Sequence, residues 1–316
     1  MAPERNQIEQ LDQSIDALLA GRPERAQFDP DIATMLVIAA DLRDLPDPNF
    51  KSRLKGELMP TTTIAPPETT TRQSIVPYFV IDDAAAMIEF LEKTFGAKEI
   101  ARFPRPDGSI MHAAVQVGNS LVEMGEAEEK LEDRKFGLHV YVADSDAAYE
   151  RALAAGATSL HPPMDQFYGE RSSAVMDAFG NQWYIANWFE GGPVRPGFRT
   201  VTPFFHVRGT DRFLDFVKRA FGAAELDAPF KTPDGLIAHA AVKIGDSVIE
   251  MGEGHGEWKP TQMQMHLYVD DCDAGYRRAL EAGATSMDPP ADRPYGERNA
   301  YVIDPFGNHW YIATPL

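Results

Sequence analysis

Tyr168-Gly169-Glu170-Arg171 recurs 127 residues later as Tyr295-Gly296-Glu297-Arg298, and Phe179-Gly180-Asn181 followed by Trp183-Tyr184-Ile185-Ala186 recurs as Phe306-Gly307-Asn308 followed by Trp310-Tyr311-Ile312-Ala313. Between residues 138–187 and 265–314, 31 of 50 positions are identical, so the chain contains a duplication. The offset is 126 at Phe95-Gly96, matched by Phe221-Gly222, and 127 from Asp107-Gly108, matched by Asp234-Gly235. A one-residue length change therefore lies between these points, where a loop or an edge tolerates it. A unit of about 115 residues is too long for a solenoid repeat and suits a whole domain.

Working outward, the copies occupy residues 73–189 and 199–316, joined by the Gly/Pro linker 190–198. Ahead of them, residues 1–60 carry apolar residues at helical spacing (Ile8, Leu11, Ile15; Ile32, Met35, Leu36). This predicts a small helical N-terminal region, followed by a Thr/Pro linker at 61–72. It serves either as a cap on the tandem domains or as a head for a protein partner.

Within one copy, Ile75 to Ile81 reads as a strand, and Met87, Ile88 and Leu91 give the next segment helical period. Hairpins follow at Asp107-Gly108 and Gly118-Asn119. A second round begins at Leu138: strand, helix, a Pro-rich extended stretch through Pro162-Pro163, and two strands around the turn at Asp177. The expectation is an α+β fold in which each copy is a pair of βαβββ modules.

Strand alternation then sorts the side chains. Around Gly118-Asn119, Met111, Ala113, Val115, Val117, Val122 and Met124 form one apolar face that must cover the helices. His112, Gln116 and Glu123 are left to the opposite, concave face, as are His239, Lys243 and Glu250 in the second copy. By the same parity His139, Tyr141, Tyr184, His266, Tyr268 and Tyr311 turn inward, with Arg171 and Arg298 expected at the mouth.

The paired βαβββ pattern, the Asp83 to Phe90 spacing, Phe95-Gly96-Ala97 and Asp304-Pro305-Phe306-Gly307-Asn308 resemble the vicinal oxygen chelate superfamily, which includes glyoxalase I, bleomycin-resistance proteins and extradiol dioxygenases. Asp-Gly-x-Ile-x-His, ending at His112 and His239, and His-x-Tyr-Val, starting at His139 and His266, are most similar to its glyoxalase-like bacterial branch. The resemblance covers about 240 residues. It implies modules curving into a small-molecule cleft, often beside a divalent metal. Carried over by position, the family's ligands would fall on Val76, Glu123, Gly137 and Tyr184 in the first copy and on Thr202, Glu250, Gln264 and Tyr311 in the second. A first-row metal needs three or four N, O or S donors; the first set supplies one carboxylate and a phenol and the second adds only Gln264, so no cofactor is expected at these positions, and a divalent metal stays open only at a displaced site.

His112, Glu123, His139, His239, Glu250 and His266 are the catalytic candidates, because a carboxylate beside an imidazole raises its pKa into the working range for acid and base chemistry. Tyr141, Arg171, Tyr184, Tyr268, Arg298 and Tyr311 are the ligand-binding candidates. Three readings stand side by side: contact with a polar or aromatic ligand, a buried His/Glu pairing that only specifies the fold, and a displaced metal site of His112, Glu123 and His139. Three functions are weighed separately: a lyase or isomerase, sequestration as in antibiotic resistance, and a scaffold for the N-terminal region. Cys272, between acidic residues, is not expected to act as a nucleophile. His206 and His309, which are matched by Val80 and Gln182 in the other copy, read as tolerated polar side chains confined to the second.

Composition bounds the partners. With 30 Lys and Arg against 48 Asp and Glu, a net charge of −18 argues against nucleic acid and anionic lipid. One cysteine and no long apolar run predict a cytoplasmic chain without a membrane span. Fusion of two copies predicts a monomer whose halves form an internal pseudo-dimer.

Overall fold

The computed structural model describes residues 73–127, 134–190, 192–256 and 258–316. The helices expected on residues 1–60 and the tether at 61–72 lie outside the described residues.

The first copy runs β1 (Ile75–Ile81), α1 (Ala84–Phe95), β2 (Lys98–Pro104), β3 (Ile110–Val117), β4 (Ser120–Glu126), β5 (Gly137–Tyr141), α2 (Ser145–Ala154), β6 (Thr158–Gln166), β7 (Glu170–Met176) and β8 (Gln182–Trp188). The second runs β9 (Val201–Val207), α3 (Thr210–Phe221), β10 (Ala224–Glu225), β11 (Phe230–Lys231), β12 (Ile237–Ile244), β13 (Ser247–Glu253), β14 (Gln264–Tyr268), α4 (Cys272–Glu281), β15 (Thr285–Arg293), β16 (Glu297–Ile303) and β17 (His309–Pro315). The predicted length change falls where β2 of the first copy is replaced by the two short strands β10 and β11, with a register shift at Phe230 and Lys231. The Pro-rich stretches are strands rather than loops. Both β6 and β15 lie at sheet edges, where proline's missing N–H removes no ladder bond.

Local chemistry sets the helix ends. The carboxylates of Asp83, Asp144 and Asp271 each accept a bond from the N–H three residues on, capping α1, α2 and α4. Gly209 precedes α3 with no side chain to offer, and the Glu253 carboxylate takes over, accepting from the N–H groups of Gly209 and Thr210. Behind the sheets each copy has its own aromatic core. Phe79, Phe90, Phe95 and Phe136 gather around Trp183 in the first copy, and Phe205, Phe213 and Phe221 around Trp310 in the second. The predicted parity holds from Ala113 onward: Ala113, Val115, Val117, Val122 and Met124 are buried in that core, whereas Met111, expected on the same face, is exposed.

The sheets are assembled differently from the expectation that each copy closes its own cleft. Strand order is β15-β16-β17-β14-β1-β4-β3-β2 in one sheet and β10-β12-β13-β9-β5-β8-β7-β6 in the other. Each sheet joins the first module of one copy to the second module of the other, through antiparallel pairing of β1 with β14 and of β5 with β9. The physical cause is visible at the hairpin tips. The Gly118-Asn119 turn receives the start of β9: Thr200 N–H donates to Asn119 Oδ1 at 2.7 Å and Val201 N–H to Ser120 Oγ at 2.8 Å. The Gly245-Asp246 turn receives the start of β1, with Ser74 N–H donating to Asp246 Oδ1 at 2.8 Å. Both glycines have positive φ, and a Cβ on either would run into the incoming Thr200 or Ser74. The short linker makes this exchange easy, because β9 starts 13 residues after Trp188 ends β8.

Candidate functional site

Exchange of modules builds two related clefts, each with side chains from both copies. In the first, Glu250 from β13 sits between two imidazoles. His139 Nδ1 lies 2.9 Å from Glu250 Oε2, and His239 Nε2 lies 3.0 Å from Glu250 Oε1. Behind His139, its Nε2 is 3.5 Å from Glu170 Oε2, and Glu170 Oε1 accepts the Tyr141 hydroxyl at 2.7 Å. The second cleft repeats the motif. His266 Nδ1 lies 3.2 Å from Glu123 Oε2 and Nε2 lies 3.3 Å from Glu297 Oε2, while the Tyr268 hydroxyl donates to Glu297 Oε1 at 2.9 Å.

These contacts set the charges. Burial opposes protonation of His139, but the Glu250 carboxylate, its hydrogen bond and Glu170 outweigh it and hold the imidazole pKa above its ordinary value. For His266 the balance is the same: burial lowers, the bonds to Glu123 and Glu297 raise more, and the pKa is pushed up to about 9. Glu250 is buried, yet His139 and His239 keep its pKa below the carboxylate range, so it stays ionised. His112 goes the other way, lowered by burial, with Glu123 only partly compensating. Each cleft thus carries a carboxylate–imidazolium–carboxylate bridge whose members come from different copies.

The predicted residues are therefore brought together in a different grouping. His112 shares a cleft with Glu123 and His266, whereas His139 belongs with Glu250 and His239. The set His112, Glu123 and His139 is never assembled, and that displaced metal site is corrected. Arg171 and Arg298 do not stand at the mouths. Arg171 is tied to Asp146 at 2.5 Å and Asp165 at 2.8 Å, and Arg298 to Asp273 and Asp292, because alternation along β7 and β16 sends them outward while their neighbours Glu170 and Glu297 point in. Those two glutamates were missed, although the parity argument applied to the other strands finds them. Tyr141 is buried behind Glu170 rather than facing a ligand.

The Glu250 cleft opens into a cavity of about 620 Å³. Its walls include Tyr184, Phe204, Trp258, His206, His239 and Glu250, with Phe167, Tyr168 and Phe230 at the lip. His206, read as merely tolerated, is a wall residue. Its ring lies nearly parallel to Trp258, with centroids 5.7 Å apart, and its Nε2 is 2.7 Å from the Tyr184 hydroxyl. Burial, aided by His255, drops its pKa to about 4 and keeps it neutral. Alternation from Phe204 would have placed it there. His309, its fellow, is held by the Tyr301 hydroxyl, and burial with Arg134 nearby also lowers it to about 4. Cys272 is buried, and desolvation with Asp273 pushes the thiol up to about 11, away from nucleophilic use.

Regrouped across the copies, the positions that the resemblance associates with a metal are Thr202, Glu250, Gly137 and Tyr184, and Val76, Glu123, Gln264 and Tyr311. The donor sets do not fit. Both Glu250 oxygens are taken by imidazoles, Gly137 offers no side chain, and the Gln264 carbonyl oxygen accepts from Arg134 at 2.8 Å. Among the described residues no cluster of three His, Cys, Asp or Glu side chains could hold a metal. Nor is any helix among them long and apolar enough to cross a membrane.

Comparison with known proteins agrees with this architecture. An uncharacterized protein of Mycobacterium tuberculosis is 35% identical over 133 residues, covering 39% of this chain and 75% of that protein. The anthracycline biosynthesis protein DnrV of Streptomyces peucetius is 32% identical over 184 residues, 53% of this chain and 62% of that one. Glyoxalase I of Zea mays superposes with a TM-score of 0.59 at 16% identity, over 76% of this chain and 92% of that chain, a likeness of fold alone. The profile of the glyoxalase/bleomycin resistance protein/dioxygenase superfamily matches residues 74–185 and again 203–312, and this chain belongs to that superfamily.

Proposed function

We propose that the chain binds a planar aromatic small molecule in the Glu250 cleft. The observation that carries this reading is the cavity itself: about 620 Å³, walled by Tyr184, Phe204 and Trp258, with the polar pair His239 and Glu250 on one side. That volume lies in the usual range for a drug-sized ligand, and aromatic walls with a few convergent polar groups favour flat, hydroxylated rings. Kinship with a protein named for anthracycline biosynthesis supports the same ligand class. Titration of the full chain with an anthraquinone, followed by quenching of tryptophan fluorescence, tests it. Quenching that vanishes in Trp258→Phe and weakens in Phe204→Ala is expected. No quenching and no calorimetric heat across a set of tricyclic and tetracyclic aromatics rejects the reading.

A second reading adds chemistry to binding. His239 lines the cavity and rests on a carboxylate held ionised, the arrangement of a general base that takes a proton from a ligand hydroxyl or an activated carbon. Solvent deuterium exchange into the bound aromatic, lost in His239→Gln while binding persists, marks this activity. Binding without exchange marks sequestration.

A further inference from the structure

Because the two clefts descend from one duplication, each residue of one has a counterpart in the other, and their differences are informative. Glu250, His239, His139, Glu170 and Tyr184 answer to Glu123, His112, His266, Glu297 and Tyr311, so the polar bridge is shared. The walls have diverged at Phe204 against Tyr78, His206 against Val80, Gln182 against His309 and, above all, Ala174 against Tyr301.

In the Glu123 cleft Tyr301 stands directly across the ladder from Tyr311 and on the same face. Their rings stack with centroids 4.7 Å apart and planes within 19°. Tyr311 meets Tyr78 edge-on at 5.8 Å, and Tyr78 stacks on His112 at 5.9 Å. Four rings thus run in an unbroken row along the floor. The two stacked phenols are fastened: the Tyr301 hydroxyl bonds His309 Nδ1, and Gln264 Nε2 donates to the Tyr311 hydroxyl at 3.3 Å. In the Glu250 cleft the position across the ladder carries no ring, and Trp258 packs on Tyr184 at 5.7 Å instead. Tyr184 packs on Phe204 at 5.3 Å and Phe204 on His239 at 6.0 Å, but the cross-strand partner of Tyr184 is the methyl of Ala174. Ala174 is completely covered, and Tyr184 hydrogen-bonds Gln182 and His206, a place that a phenol at position 174 would contest.

We infer that the clefts have divided their roles: the chain takes one ligand, in the Glu250 cleft, while Tyr301 fills the Glu123 cleft with the protein's own aromatic ring. This rests on the aromatic-ligand reading above and specifies its location and stoichiometry.

Calorimetric titration with the anthraquinone probe, with native mass spectrometry as a second count, tests this on the full chain. The wild type is expected to bind one equivalent. Ala174→Tyr and the smaller change Ala174→Leu should each weaken binding at least tenfold, with thermal unfolding showing that both remain folded. Tyr301→Ala should admit a second equivalent. Two equivalents in the wild type, or binding unchanged by either substitution at Ala174, overturns the division of roles and leaves the aromatic-ligand reading standing. No binding by any variant overturns both.

Discussion

The bridge around His266 makes a quantitative prediction about pH. A histidine whose folded pKa lies near 9 against an unfolded value of about 6.5 adds stability that is fully present below about pH 6.5 and is lost as pH rises through about 9. Between pH 7 and pH 10 the wild-type protein should lose about 2.5 kcal/mol from this group, the integral of proton uptake over that interval. For a folded unit of this size that corresponds to roughly 5–10 °C in melting temperature. His266→Gln keeps a donor toward Glu297 but cannot carry charge. It starts less stable, because Glu123 and Glu297 are left facing each other without a cation, and it should lack this descent. His139 titrates in the same direction and acts in both proteins, so the difference between the two curves isolates His266. Urea unfolding at half-unit steps from pH 6 to pH 10 measures it. Parallel curves would falsify the assignment of a protonated His266 between the two carboxylates.

Other consequences are simpler to check. Glu250→Ala strips two imidazoles of their shared carboxylate and should cost about 3–5 kcal/mol in urea unfolding at pH 7, because the buried His139 loses the nearer of its two carboxylates; a loss below about 1 kcal/mol contradicts the buried bridge. Gly252→Ala places a Cβ about 2.6 Å from the backbone carbonyl of Ala238, which cannot step aside, so a loss of about 1–3 kcal/mol is expected in the same assay. Added Zn²⁺ or Ni²⁺ should leave the melting temperature unchanged. A stabilisation that disappears in His239→Ala would restore a metal to the Glu250 cleft. Light scattering should return a mass near 35.0 kDa, since each copy already supplies the other's missing module, and twice that value argues against the internal pseudo-dimer.

Much of the fold was legible because strand periodicity and turn chemistry are local. The apolar alternation in 113–124 assigned one face to the core and sent Glu123 to the other, with His112 beside it, as found, and only Met111 at its start is exposed instead. Asp177 and Asp304 bond the N–H groups of their own turns and the indoles of Trp183 and Trp310, as residues of that type do in tight turns. The failures share a cause. Parity was not extended to Glu170, Glu297 and His206, where it holds equally well. And no periodicity tells which of two equivalent edges a strand will join.

The sequence by itself determined the duplication, the βαβββ modules, the apolar and polar faces of the strands that alternation was applied to, and His112, Glu123, His139, His239, Glu250 and His266 as residues of the clefts. Only the tertiary structure decided that His139 faces Glu250 and His266 faces Glu123, that Arg171 and Arg298 turn outward, and that an aromatic-walled cavity stands beside Glu250. The reason is physical. Face selection follows from the two-residue repeat of a strand and the need to bury apolar surface. Partner selection depends on edge hydrogen bonds and hairpin tips more than a hundred residues apart, which near-identical copies offer equally to either module.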